Sequence, residues 1–527
     1  MNLSPMISQQ NFNSEAYDHI DENNFKYVND SPFSTFSIDV DTASYSNIRR
    51  ILNNGNLPTS GAVRIEEMVN YFDYNYPKVK ETGVPFASSV AIGKCPWNKD
   101  SKLVRLAIKS KDIPAESRSV ANLVFLLDVS GSMYAQNKLP LLKKALKMLV
   151  NNLNVKDRVA IVVYAGASGL VLPSTPCSQK GKIIAALNNL SAGGSTNGGA
   201  GICQAYRVAV ANFVEEGINR VILCTDGDFN VGTTSQSELI DLISKSAKSN
   251  VFLTVLGFGM GNYKNSTLEK LADKGNGNYG YIDNENEAQK LLVKQIGATL
   301  TTIAKDVKIQ IEFNPAQVQA YRLIGYENRK LNKEDFNDDK KDAGEIGAGH
   351  CVTVFYELVP NGVKLDLRKT DKRKYSKNAV REIVNNEILD VKIRYKEPNA
   401  TVSKFLTFPL KGKIKDAISS VDNDFKFASS VIAFGMLLRN SKFKGLVTYD
   451  LVLKLAQNAV NDSSIEDDER KEFIKLVKKA RRLTVLKNPQ KKSALNLLEK
   501  IKLNNITLNF HSAKIILDMY VLVPLFS

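Results

Sequence analysis

From residue 123 to about residue 303, short unbroken apolar runs alternate with longer stretches whose apolar residues return at three- and four-residue steps. The runs fall at 123–127, 159–164, 220–224, 251–257 and 279–282 and have the length of buried strands. The periodic stretches, at 139–153, 180–190, 198–214, 237–247 and 285–304, predict helices. Strands that are apolar along their whole length and separated by amphipathic helices predict a parallel sheet covered on both faces. That is a doubly wound α/β domain, and its ligand belongs at the carboxyl ends of the strands.

On either side the texture changes. Residues 86–90, 103–108, 307–313, 352–358, 389–395 and 405–408 read as strands with no helices between them, as in an antiparallel sheet or sandwich. The α/β domain is therefore predicted to be inserted between β-rich flanks that together build one β domain. From 425 to 482 the pattern turns helical, through Ala428, Val431, Phe434, Leu437 and Leu438, and again through Leu451, Val452, Leu455, Ala456 and Ala459. The expected division is a flexible segment over 1–30, a flanking region over 31–120, the α/β domain over 121–304, a β-rich domain over 305–412, a helical module over 413–483 and a basic tail over 484–527. No internal repeat is present.

Composition narrows the function classes. With 43% hydrophobic and 24% charged residues in 527, the chain is a folded multidomain protein rather than a disordered or fibrous one. Its most apolar segment, 515–526, is broken by Asp518 and Pro524, too short to span a bilayer. Of the net charge of +16, 13 lie in two runs, Lys475 to Lys492 without acids and Lys364 to Lys377. Such runs can meet acidic partners, but no zinc-finger spacing or aromatic-studded RNA-binding signature accompanies them, so no nucleic-acid partner is expected. Cys95, Cys177, Cys203, Cys224 and Cys351 lack the pairing of a disulfide framework or zinc site. His19, His350 and His511 are the whole supply of imidazoles and lie in unrelated segments, which excludes most histidine-based catalysis. The polar amino terminus has no export signal, so the chain as written is expected in the cytoplasm.

The first predicted strand runs into Asp128-Val129-Ser130-Gly131-Ser132. A carboxylate leaving a strand, followed by two hydroxyls at alternate positions in a turn eased by Gly131, sets three hard oxygen donors around one point. Mg²⁺ suits such a mixed set better than a cage of many carboxylates. Two further elements end at the same sheet edge: the loop Gly193-Gly194-Ser195-Thr196-Asn197-Gly198-Gly199, offering the Thr196 hydroxyl, and Thr225-Asp226-Gly227-Asp228 after a buried strand.

This order and spacing resembles the metal-ion-dependent adhesion site of von Willebrand factor type A (VWA) domains, over about 121 to 304. The resemblance implies that Asp128, Ser130, Ser132, Thr196 and Asp226 surround Mg²⁺, Mn²⁺ or Ca²⁺, directly or through water, and leave one position for an Asp or Glu of a partner protein. Flanking segments resemble bacterial YfbK-type VWA proteins: Ser37 to Tyr45, Val63 to Phe72, Cys95-Pro96-Trp97, Gly325-Tyr326-Glu327-Asn328-Arg329, Asp342 to His350 and Phe434 to Arg439. That likeness implies a non-catalytic interaction or adhesion module of the bacterial cell envelope. It departs in two places, the missing lipoprotein-type signal and the tail from about Thr484.

Other motifs compete. Asp39-Val40-Asp41-Thr42 approximates the nucleophile motif of Mg²⁺-dependent phosphatases, the alternative function, but such an enzyme needs a buried parallel strand before it and an α/β core after it. A turn whose acids cap the next helix is the plainer expectation. An EF-hand fails because Ser44 stands where a glycine is needed. Gly257-Phe258-Gly259-Met260-Gly261 lacks dinucleotide-loop spacing and reads as a turn beside the metal site. Glu334, Asp335, Asp338, Asp339, Asp342 and Glu345 read as a solvated acidic loop rather than a second cation site.

Overall fold

The computed structural model describes residues 15–80, 83–166, 168–195, 198–227, 236–261, 263–363, 387–412, 421–461 and 467–487. The basic run from Lys364 to Lys377, residues 1–14 and most of the tail lie outside these.

At the centre is a six-stranded sheet in the order Tyr279–Ile282, Phe252–Phe258, Ile218–Thr225, Ala121–Asp128, Arg158–Tyr164, Ser168–Pro176. Every pairing is parallel except the last. Alternation along the strands serves both faces. Leu123, Phe125 and Leu127 pack with Leu142, Leu146 and Leu149 of the helix Leu139–Asn152, while Val124 and Leu126 pack with Ile202, Leu239 and Leu268 from three helices on the other side. The strands are apolar end to end because neither face meets water. The chain leaves Ala121–Asp128 toward one edge and later returns to its other side at Ile218–Thr225, so a topological switch point opens between their carboxyl ends.

Four features depart from the sequence reading. Ser168–Pro176 is an antiparallel edge strand where none was expected, and Pro173 and Pro176 are tolerated because an edge need not donate on both sides. A helix at Asn265–Lys274 was not anticipated, since only Leu268, Leu271 and Ala272 give it an apolar face. The predicted helix 285–304 is broken into Glu285–Gln289, a π turn at Lys290–Lys294 and Ile296–Leu300. The β-branched Thr302 and Ile303 then belong to the strand Thr302–Phe313, which pairs with Gly344–Gly347. Strands at Phe33–Ser37 and Val318–Ile324 complete the β domain. The first escapes a hydrophobicity pattern because its serines and threonine are buried.

The flanks form an antiparallel sandwich. One sheet runs Lys26–Tyr27, Val318–Ile324, Cys351–Pro360, Lys102–Ser110, Phe86–Lys94; the other runs Lys330–Leu331, Phe33–Ser37, Thr302–Phe313, Glu387–Lys396, Lys404–Lys411. Val104, Leu106 and Ile108 from before the α/β domain share one core with Val307, Ile309 and Ile311 from after it. The α/β domain is therefore an insertion between strands of a single sandwich.

Leu103 and Ala107, on the opposite face of their strand, pack against a helical layer of Ala43–Asn53, Ile65–Asn70, Asn423–Leu438, Tyr449–Asn461 and Asp468–Lys487. Asp422 caps the third of these, accepting from the Phe425 N–H at 2.6 Å, and its carboxylate binds the Arg105 guanidinium at 2.8 and 2.9 Å. No helix among the described residues is long and apolar enough to cross a membrane.

Phe72 sits edge-on to Tyr45, Tyr71, Phe427 and Phe473, with centroids 4.9 to 5.8 Å away, tying the amino-terminal helices to the carboxyl-terminal ones. Phe72→Ala is expected to cost about 3–5 kcal/mol by opening a cavity in this layer. Urea unfolding measures it, and a loss below about 1 kcal/mol would mean the two ends do not share a core.

Candidate metal site and a buried charged junction

The strand Ala121–Asp128 is buried along its length and delivers Asp128 to the switch point. The turn that follows folds back on it: the Ser130 N–H donates to Asp128 Oδ1 at 2.9 Å. The Thr225 and Tyr164 hydroxyls donate to the other oxygen at 3.1 and 3.3 Å. Ser130 and Ser132 Oγ lie 3.1 Å apart, and Ser132 Oγ donates to Asp226 Oδ2 at 2.7 Å. The Gly193 N–H bonds Val129 O at 2.8 Å and the Gly131 N–H bonds Gly194 O at 3.0 Å, so the glycine-rich loop is latched to the turn. Asp228 and Thr196 lie outside the described residues.

The structure thus brings Asp128, Ser130, Ser132 and Asp226 together. Both carboxylates are fully buried, while Gly131, Ser132, Gly194 and Ser195 form a rim open to solvent. Burial raises the Asp128 carboxyl to about 6; the Ser130 hydrogen bonds oppose the rise, and the charge of Asp226 adds to it. Two carboxylates and two hydroxyls, with no nitrogen or sulfur donor among them, fit a hard divalent cation, and the mutual repulsion of the acids is what such a cation would relieve.

Lys138 also reaches this cluster, its Nζ 2.9 Å from Asp226 Oδ2. The turn Gly257-Phe258-Gly259-Met260-Gly261 lies beside it, since a side chain at Gly259 would run into the Lys138 stem. Motif spacing does not single out Lys138. Its only signal was a basic residue at the start of the helix after the serine turn.

Three family models match the chain: von Willebrand factor over 11–105, von Willebrand factor type A domain over 122–295, and "Uncharacterized protein YfbK, C-terminal" over 298–483. Over 472 residues the chain is 42% identical to "Uncharacterized protein YfbK" of Escherichia coli (strain K12), which spans 88% of this chain and 80% of that one. The chain belongs to the YfbK family. It is also similar to the E3 ubiquitin-protein ligase WAV3 of Arabidopsis thaliana, 24% identical over 321 residues, 57% of this chain and 40% of that one. Among solved structures, a von Willebrand factor type A protein from Catenulispora acidiphila aligns over 72% of this chain and 87% of its own, at 15% identity and TM-score 0.42. VWA domains commonly mediate protein interactions.

Four of the segments that carry the YfbK likeness meet the VWA domain at one buried junction. Arg329 Nε lies 3.2 Å from Asp39, its Nη2 3.5 Å from Asp41 and 3.4 Å from Glu269, and its Nη1 2.6 Å from Asp273. Arg64 reaches Glu269 at 3.1 Å and Glu67 at 3.4 Å. Glu67 also accepts from the Ser44 N–H at 2.7 Å, and Glu345 is buried nearby. Burial holds the carboxyls of Asp41, Glu67 and Glu269 above their ordinary range.

Asp39 and Asp41 therefore stand at the end of an antiparallel strand, buried and ion-paired. A phosphatase nucleophile there would be buried away from substrate, and the expected capping by these acids is not seen either: Asp39 accepts from the Asp41 N–H and Asp41 from the Tyr279 N–H, while the Ser44 N–H in the first turn goes to Glu67. The acidic loop is solvated as expected: Asp339 pairs with Arg394 at 3.1 Å and Asp342 with Lys274 at 2.9 Å, while Glu345 is the buried exception. The junction itself was not legible, because Asp39 and Arg329 are 290 residues apart.

Glu66 is the weak point of this junction, with no hydrogen bond to either carboxylate oxygen. Burial, then the charge of Glu327, pushes its carboxyl up to about 7. Between the ordinary glutamate value and 7 the folded chain keeps a proton that the unfolded chain has lost, so this contribution to stability falls as pH rises through that window. Glu66→Gln removes the proton exchange. From about pH 5 to about pH 8 the wild type should lose melting temperature relative to the variant, and parallel pH profiles would show that Glu66 titrates normally.

Proposed function

We propose that this YfbK-family chain is a metal-dependent protein-interaction module without catalytic activity of its own. A divalent cation, Mg²⁺ in the first instance and Mn²⁺ or Ca²⁺ otherwise, is held by Asp128, Ser130, Ser132 and Asp226. The VWA resemblance adds Thr196. The remaining coordination position takes an Asp or Glu carboxylate from a partner protein, so the metal acts as a Lewis-acid bridge. On the YfbK resemblance alone, the same reading assigns the work to the bacterial cell envelope.

The observation that carries this reading is the meeting of two fully buried carboxylates and two serine hydroxyls beneath a solvent-open rim at the switch point of the sheet. Among the described residues the hydroxyls bond each other and Asp226, and no imidazole reaches them.

A cation that binds only the folded state should raise the melting temperature, by the equivalent of about 2.7 kcal/mol at a hundredfold excess over Kd. Thermal unfolding with and without Mg²⁺ measures it. Asp128→Ala should fold and lose the shift, because it removes one of two buried like charges at the end of the strand and leaves the apolar residues behind it in place. A wild type that shows no shift with millimolar Mg²⁺, Mn²⁺ or Ca²⁺ contradicts the reading.

A further inference from the structure

Lys138 immediately precedes the helix Leu139–Asn152, so its backbone is fixed by that helix and by its N–H bond to Ala135 O at 2.9 Å. Its side chain is buried, and the ammonium lies on the same Asp226 oxygen that accepts from Ser132 Oγ. A compact, strongly hydrated ammonium is not buried without a partner, and the Asp226 carboxylate supplies one.

The stem is held independently. Gly259 has φ +80°, and a Cβ there would stand 2.5 Å from Lys138 Cε, 2.6 Å from Cγ and 2.9 Å from Cδ. The carbonyl of Gly259 is in turn fixed by the Tyr281 hydroxyl. The φ of this position favours glycine, and any side chain here would push the lysine stem aside, which gives the glycine-rich turn a purpose beyond its bend.

We propose that Lys138 is a tethered cation inside the VWA metal site, setting both its affinity for a divalent ion and the charge of the loaded site; this rests on the metal reading above. Asp128 and Asp226 alone would make a divalent site neutral when loaded, with no net pull on a further anion. Among the described residues, with Lys138 the empty site carries one negative charge and the loaded site one positive charge. The lysine therefore weakens metal binding by repulsion and by holding Asp226, and it strengthens the capture of a partner's carboxylate, which returns the site to neutrality. It is a specificity-determining residue: it favours metal and acidic ligand arriving together over metal alone.

The test is isothermal titration of the full chain with Mg²⁺ and with Mn²⁺, alongside melting of the metal-free protein. Lys138→Met keeps the stem and removes the charge. It should bind either ion roughly tenfold more tightly or better, and the metal-free protein should melt lower because Asp226 loses its counter-ion. Gly259→Ala, which displaces the stem without touching a charge, should shift affinity in the same direction. Binding in every variant should vanish when Asp128→Ala is added. Binding by the wild type with equal or weaker binding by Lys138→Met overturns the role of the lysine and leaves the metal site standing. No binding by the wild type or by either variant overturns the metal reading itself, and the lysine's role with it. A wild type that is silent while Lys138→Met binds supports the lysine's role and contradicts the reading that the unaltered chain loads a divalent cation.

Discussion

A carboxylate carried into a protein interior has to be met there by positive charge or by a proton. This fold carries in two groups of them, and much of its organisation answers to that constraint. Asp39, Asp41, Glu67 and Glu269 are met by Arg64 and Arg329 where the sandwich, the amino-terminal helices and the VWA domain abut. At the open edge of the VWA sheet Asp226 is met by Lys138, while Asp128 is met by the Ser130 N–H and two hydroxyls.

The contrast separates structure from function. At the junction each arginine spreads a planar set of donors over several acids, all of them buried except the half-buried Asp273, and removing either partner of a buried pair would strand charge at a cost of about 3–5 kcal/mol. Such an arrangement suits a permanent clasp. At the sheet edge, among the described residues, two buried acids stand with one ammonium, on Asp226, beneath two exposed serines and two exposed glycines, and the deficit is one that an arriving cation can fill. The two places border the same helix. Arg329 grips Asp273 and Glu269 on the helix Asn265–Lys274, and a Cβ on Gly227, next to Asp226, would stand 2.7 Å from the backbone nitrogen of Lys264 at the head of that helix.

What the sequence revealed follows from the range of the interactions involved. The parallel strands and most of their helices were legible because burial on both faces writes an unbroken apolar run and burial on one face writes a three- and four-residue period. Asp128, Ser130, Ser132 and Asp226 were legible because each follows a readable strand, so the topology alone brings them to one edge. Phe33–Ser37 was hidden because its buried serines and threonine are polar, and Ser168–Pro176 because edge position excuses its prolines. The break after Leu300 was hidden because the β partner that claims Thr302 and Ile303 lies more than forty residues downstream. The Arg329 clasp and the Lys138 pair were out of reach for the same reason: an ion pair across 290 or 88 residues leaves no local period, and its members look like ordinary surface charges.

The central claim is that the VWA edge holds a divalent cation and the junction does not. Crystals grown with Mn²⁺ and measured at its absorption edge address it directly. The account predicts one anomalous peak within bonding reach of Asp128, Ser130, Ser132 and Asp226, and none at Asp39, Asp41 and Glu269, where Arg329 already stands. A peak at the junction, or an empty VWA edge in crystals soaked to saturation, would contradict it.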